Sequence, residues 1–525
     1  MLVPQIRRFL LAATLGCAIF ASAACGTAGS TEAQTETTNS STTTSSIPSG
    51  SSIEIFVPSD GVTLTQNTPT NKWGSFADSI KKQLVKQGYS EDDISVTASS
   101  TLKEQAQALS DLTADRAADE AAGSTSATTT NEHDVVIVAP ALTLDPAATQ
   151  FGDLIGDGTE DLSTTSDISA VLSTEQSNEQ KAAETSIASS AKKLRATGSK
   201  LILMARNLPN VTADAFVKTS NAYDIGKMQA TQLASKLELT EATASNPKRI
   251  EIVLPKESNT TISSDFFSGV WSVLGSYFKE GKVVSVSGRL TSASTAADWK
   301  KVLLSVNSAA QAQHGFNVLL DESAQADSES APVALDGVIA ANDFLSTQVM
   351  AVLKNRGYKG SGADINPEIT LSGIVGNMTG NTDLSKDKVP SPTKSEDSAS
   401  LPSSGSSSND TSAAQTAAAS QWPIVTGYGS YVNNISSVVS GKQWLTGLEN
   451  RTGLAKDLAK ECATVAKTGK IAASHSTDSS TQKTTVTLNG HKVPLITRGL
   501  VAVVGSNLKT ELIDTGYVSA ADAGL

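Results

Sequence analysis

The stretch Asp336–Gly360, DGVIAANDFLSTQVMAVLKNRGYKG, reads as strand, turn, helix and stop. DGVIAA is a short apolar run containing Val338 and Ile339, the length of one buried strand. Leu345, Val349 and Leu353 follow at a spacing of four, with Met350 beside them, and make one apolar helical face. Gly357 ends that helix. Asn342 and Asp343 stand where the strand gives way to the helix. In open α/β sheets ligands bind outside the carboxyl ends of the strands, so polar side chains at this junction can face a cleft. Aspartate also suits a helix cap. The spacing leaves both roles open for Asp343.

The same strand–helix unit recurs on both sides. Upstream, strands are predicted at 53–58, 94–99, 133–141 and 201–206. They alternate with helices at 73–88, from Thr101 onward, and near 180–197. A second series starts with AFVKTSN (215–221) and a helix from Tyr223. It continues with strands at 249–255 and 283–288, a helix at 263–281, and a helix opening in ADWKKVLLSVNS (297–308). Downstream come apolar ITLSGIVG (369–376), a strand at 422–429, a helix at 430–441, LTGLEN, and a helix from Leu454 to Gly469. Asn489-Gly490 between two strand-like runs predicts a hairpin, and TELIDTG a short closing helix. Strands alternating with helices argue for parallel sheets with helices on both faces.

The chain has 525 residues, more than one domain usually holds, so two lobes are expected. Its net charge of -12 and the lack of a Lys/Arg cluster beyond the N-terminal segment argue against nucleic-acid binding. Residues 1–24 read as a secretory signal: Arg7 and Arg8 precede the apolar run Phe9–Ala24, which is shorter than the roughly 20 residues of a membrane span. Ser22, Ala23 and Ala24 before Cys25 resemble a bacterial lipoprotein box, although Ser22 stands where that motif usually has Leu. The resemblance implies cleavage before Cys25 and lipid on its thiol; Cys17 is the weaker candidate. Residues 25–52 form a Ser/Thr-rich tether, with a reach of about 25–30 Å if flexible. Residues 120–131 and 385–419 are low-complexity insertions, the second read as disordered. Cys462 is then the one cysteine of the globular part, which excludes an internal disulfide framework there.

No catalytic constellation is present. His133, His314, His475 and His491 are scattered, and neither HExxH, CxxC, GxSxG nor a P-loop occurs. The expectation is therefore a protein that is not an enzyme and needs no metal or cofactor.

Several segments together resemble the type 1 periplasmic binding proteins. These are NKWGSFADSIKKQLVKQGY, SKLILMARNL, TSNAYDIGKMQATQLASKL, IEIVLPKESN with SDFFSGVWSVL, the 336–358 unit, VTGYGSYVNNISSVVSGKQWLTGLEN and PLITRGLVAVVGSNLKTELIDTGYVS. In detail they are similar to the sugar-binding proteins and lipoproteins of ABC importers, near the xylose and multiple-monosaccharide branch. The resemblance implies an α/β fold of two Rossmann-like lobes, parallel sheets flanked by helices, joined by a multi-strand hinge. The expected lobes are 53–209 with 443–525, and 210–442. It also implies a sugar cleft between the lobes, an ABC permease as partner, a monomer, and residence on the extracytoplasmic face of the cell membrane.

Carried onto this sequence, the family's cleft residues fall on Lys72, Trp73, Arg206, Asn221, Asn342, Asp343 and Tyr428. Acids of the family pattern are missing at Ala205, Ser220 and Gly429, and Glu257 and Asn259 are candidate substitutes. A hydrogen bond to a charged group contributes about 1.5–3 kcal/mol, so two or three lost acids amount to roughly 3–9 kcal/mol. That leaves a second class of function in view: a lipoprotein that keeps the fold without the sugar site and serves as a sensor or interaction module.

Overall fold

A computed structural model describes residues 47–48, 50–60, 70–121, 131–156, 169–256, 260–323, 332–362, 420–472, 475–476 and 484–520. The signal segment with Cys17 and Cys25, most of the tether, Glu257, Asn259, 369–376 and 385–419 lie outside the described residues.

Two sheets carry the chain. The first contains β1 (Ile53–Pro58), β2 (Ile94–Ser99), β3 (Val135–Val138), β4 (Lys200–Met204) and β5 (Ala215–Lys218). Late in the chain β12 (His475–Ser476), β13 (Thr485–Leu488) and β14 (His491–Thr497) join it. The order is β12-β14-β5-β4-β3-β1-β2, parallel except for the β13–β14 hairpin. Asn489 at φ 47 and Gly490 at φ 82 turn that hairpin as the Asn-Gly pair predicts. The second sheet runs β15-β11-β10-β9-β6-β7, with β8 beside β6. Its strands are β6 (Lys248–Lys256), β7 (Val283–Val284), β8 (Leu303–Ser305), β9 (Gly337–Ala340), β10 (Ile424–Tyr428), β11 (Leu445–Leu448) and the antiparallel β15 (Val501–Val504). Among the described residues the chain passes between the sheets three times: between Lys218 and Lys248, between Leu448 and His475, and between Thr497 and Val501.

Central strands such as VVIV in β3 are buried along their whole length, as parallel strands covered on both faces must be. On one face of the first sheet lie α1 (Trp73–Gln87) and, under its late strands, a helix at Arg451–Thr468; on the other lie α2 (Leu102–Ala121) and α4 (Thr174–Ala196). Trp73, Phe76, Ala77, Ile80 and Leu84 recur at three and four residues and form the buried stripe of α1. Gly88 at φ 104 then ends the helix in the left-handed conformation that glycine adopts without penalty.

Around the second sheet pack α5 (Ala222–Lys236), α6 (Thr260–Lys279), α7 (Ala309–Asp321) and α8 (Asp343–Asn355). α5 and α6 cross at Gly226 and Gly269, where a Cβ on either would come within 2.1 Å of a backbone oxygen of the other helix.

Several local expectations are corrected. ADWKKVLLSVNS does not open an α-helix: Ala296–Val302 is 3-10 helical and Leu303–Ser305 extends into β8. Thr295 caps the 3-10 turn in a capping box with Asp298, and the α-helix begins after Ser308 instead. The 430–441 helix shrinks to a turn at Val432–Asn434 and α9 at Ile435–Val439. Ser430 there sits at φ 48, which is outside a right-handed helix. VVSVSG keeps only Val283–Val284 as strand. The closing segment is a single π-helical turn at Lys509–Ile513. Cys462, on α10 (Arg451–Thr468), is fully buried, and burial pushes its thiol pKa upward, which leaves it unreactive.

Candidate functional site

The carboxyl ends of both parallel sheets face one seam, and all seven residues picked from the sequence lie along it. Trp73 opens α1, is 1% exposed and stacks on Phe76 at 6.1 Å. The Arg206 guanidinium sits 5.7 Å over the Trp73 ring. Arg206 is aimed there by Ala205, whose φ of 64 is a left-handed conformation that a non-glycine residue adopts at a cost of roughly 1–3 kcal/mol. Lys72 pairs with Asp153 at 3.0 Å. Asn221 caps α5 by accepting from the Asp224 N–H at 2.9 Å. Asn342, not Asp343, caps α8: its side chain accepts from the Leu345 N–H at 2.9 Å.

Asp343 is the first residue of α8 and points into the second lobe. It accepts from the Tyr431 N–H at 2.9 Å, Gln443 Nε2 at 2.6 Å and Thr446 Oγ1 at 2.8 Å. Burial lifts its carboxyl pKa to about 6 against these bonds, which pull it down. Tyr428 is 2% exposed, with its ring 6.3 Å from that of Phe151. Its hydroxyl lies at 3.5 Å from Asn71 Nδ2.

Sequence reasoning missed three groups of seam residues. The first is the segment between β3 and α4, whose signal in the sequence is the apolar pair Phe151 and Ile155. Phe151 and Ile155 belong to the core of the second lobe although the segment starts and ends on the first. The second is Glu449, immediately beyond β11. The strand-end rule that picked Asn342 also applies there. Glu449 is buried and accepts from the Ser220 N–H at 2.8 Å and from the Ser220 hydroxyl. A carboxyl group thus stands against position 220, reaching it from the end of β11 in the other sheet. The third group consists of polar atoms left bare. Asn71 Oδ1, Thr219 Oγ1, Ser430 Oγ and Glu449 Oε1 are buried and have no hydrogen-bond partner among the described residues.

Burial raises the Glu449 carboxyl pKa to about 7, opposed by the two Ser220 bonds. The folded protein then holds a proton that the unfolded chain releases above about pH 4.5. Stability therefore falls as pH rises from about 4.5 to about 7 and levels off above that. The change from 4.5 to about 7 corresponds to a loss on the order of 3 kcal/mol. Urea unfolding at pH 5 and pH 8 checks this. Glu449→Gln should gain on the wild type by that order between the two pH values, and a pH-independent difference would refute the assignment.

No family model matches this sequence. No curated protein matches it either. Among solved structures, the chain is similar to an ABC transporter solute-binding protein from Clostridium phytofermentans with bound β-D-glucose, at 17% identity over 90% of this chain and 99% of that one, with a TM-score of 0.46. A carbohydrate transporter solute-binding protein from Chloroflexus aurantiacus, in complex with D-glucose, aligns at 16% identity over 90% and 97%, with a TM-score of 0.44. A periplasmic ribose ABC transporter protein from Conexibacter woesei aligns at 9% identity over 89% and 96%, with a TM-score of 0.45. What the seam of this chain holds is argued from its own residues.

Proposed function

We propose that this chain is an extracytoplasmic solute-binding protein that takes a neutral, polyhydroxylated solute of sugar size between its two lobes. The observation that carries this reading is the set of four bare polar atoms on the seam. Asn71, Thr219, Ser430 and Glu449 are each 1% exposed or less, and each keeps a polar atom without a partner among the described residues. Each such atom costs about 1–3 kcal/mol when buried unpaired. A molecule rich in hydroxyls, which both donate and accept, is the chemistry that relieves them. Trp73 and Tyr428 add ring surface to the same seam. Delivery of the solute to an ABC permease, anchorage through lipid on Cys25 and a monomeric state complete the proposal. They rest on the sequence resemblance. No helix among the described residues is long and apolar enough to cross a membrane.

The test is a thermal-shift screen of the full chain against glucose, ribose, arabinose, allose and myo-inositol, repeated with Thr219→Val. Saturation at about 100 times Kd stabilises the folded state by about 2.7 kcal/mol. Thr219→Val removes a hydroxyl that has no partner among the described residues, so the unligated protein should keep its stability while the response to ligand is lost. If no compound shifts the wild type or a Phe151→Ala variant, the reading fails. A second reading, a receptor that no longer takes up sugar and serves as a sensor or interaction module, is favoured by one observation. Lys72, Arg206, Asn342 and Tyr428 are engaged by the chain's own residues 150–155.

A further inference from the structure

The segment between Asp145 and Gly156 leaves the first lobe, inserts into the seam and returns. Its one-turn helix α3 (Pro146–Thr149) leads into Gln150 and Phe151. Gln150 Oε1 accepts from Asn342 Nδ2 at 2.9 Å, and its backbone carbonyl accepts from the Tyr431 hydroxyl at 2.9 Å, both from the second lobe. The Phe151 ring lies 5.8 Å from that of Phe266 and 6.3 Å from that of Tyr428. On the first-lobe side, Arg206 donates to the carbonyls of Asp153 at 2.7 Å and Ile155 at 2.8 Å. The Gly156 N–H donates to the Ser220 carbonyl at 2.9 Å. Side chains marked by sequence as ligand contacts thus hold the chain itself, from both lobes at once.

We infer that Asp145–Gly156 is a resident occupant of the cleft, which draws the lobes together without any solute and must be displaced when one binds. This rests on the proposed function and adds its regulation. Two features fit an occupant that can leave. Its apolar Phe151 enters a seam that keeps bare polar atoms, so the fit is worse than that of a hydroxyl-rich guest. It also threads through glycines. Gly152 stands at φ 100, and a Cβ on Gly156 would meet Thr219 Oγ1 at 2.7 Å.

Spin labels at Lys82→Cys on α1 and Asn355→Cys on α8, one exposed site on each lobe, report the lobe separation by pulsed electron resonance. The full chain would carry Cys17→Ser and Cys25→Ser, since Cys462 is buried. Without sugar the wild type should show one short distance. Phe151→Ala and Gly156→Ala should each lengthen or broaden it by more than about 2 Å, the scale of a genuine rearrangement. Two variants are used because either alone could fail to fold. A long distance in the sugar-free wild type, or an unchanged distance in both folded variants, overturns the inference. Sugar added to Phe151→Ala separates the two proposals. A return to the short distance supports both. Opening that no sugar reverses keeps the occupant and removes the sugar. A wild type that is open alone and closes with sugar keeps the sugar and removes the occupant.

Discussion

Replacing Asp343 with alanine should lower the unfolding free energy by on the order of 5 kcal/mol. The carboxylate is fully buried and serves as the common acceptor for Tyr431 N–H, Gln443 Nε2 and Thr446 Oγ1. Alanine strands three donors, at about 1–3 kcal/mol each. The damage spreads because Gln443 Oε1 also accepts from Asn434 Nδ2 at 2.8 Å and from Ser346 Oγ at 2.9 Å, so α8, α9 and the start of β11 share one network. Asp343→Asn keeps the shape and one acceptor oxygen, and should cost roughly half as much. Urea unfolding of both variants decides the matter: a loss below about 2 kcal/mol for the alanine variant would mean that the network is not holding these elements. A ligand response lost in Asp343→Ala would thus report a damaged lobe rather than a broken contact with solute. Thr219→Val is the cleaner probe.

The second large effect is expected at the crossing of α5 and α6. A side chain at Gly226 would start 2.1 Å from the Phe266 carbonyl oxygen, and the obstacle is helix backbone, which cannot rotate away. Gly226→Val should therefore force the helices apart and open the core around Phe266, Phe267 and Val270, all of them 0% exposed. The cost should exceed about 4 kcal/mol, in the range reserved for disrupted cores. Lys227→Ala, on the exposed neighbouring position, is the control and should stay within about 0.5 kcal/mol. Thermal unfolding that places the two variants within a degree of each other would show that the helices have room to move.

The fold was legible wherever burial imposed a period. The strand at Gly337–Ala340, the stripe of α1 and the apolar face of α8 follow from spacing, because each must hide one face or two. Legibility failed where short-range hydrogen bonding decided the outcome. Thr295 and Asp298 close a 3-10 turn inside a stretch whose composition is helical, and Asn342 takes the cap that its neighbour suits equally well. In the site, the strand-end rule picks out Asn342 and the family resemblance picks out Arg206, but neither locates their partners: Gln150, Asp153 and Ile155, to which they are bonded, lie more than 50 residues away in sequence. Glu449 was readable by the same rule and was missed because the family pattern has its acid at position 220.

The occupant's place in the connectivity has a practical consequence. β3 and α4 both belong to the first lobe, so the chain enters the seam and leaves it within one strand–helix unit. It is a detachable cassette: shortening it re-threads nothing and leaves every strand beside its present neighbours. An engineer wanting an empty two-lobed receptor, or a reporter that snaps shut on a chosen guest, would cut there, between Ala139 and Ser173, and keep the rest of the scaffold.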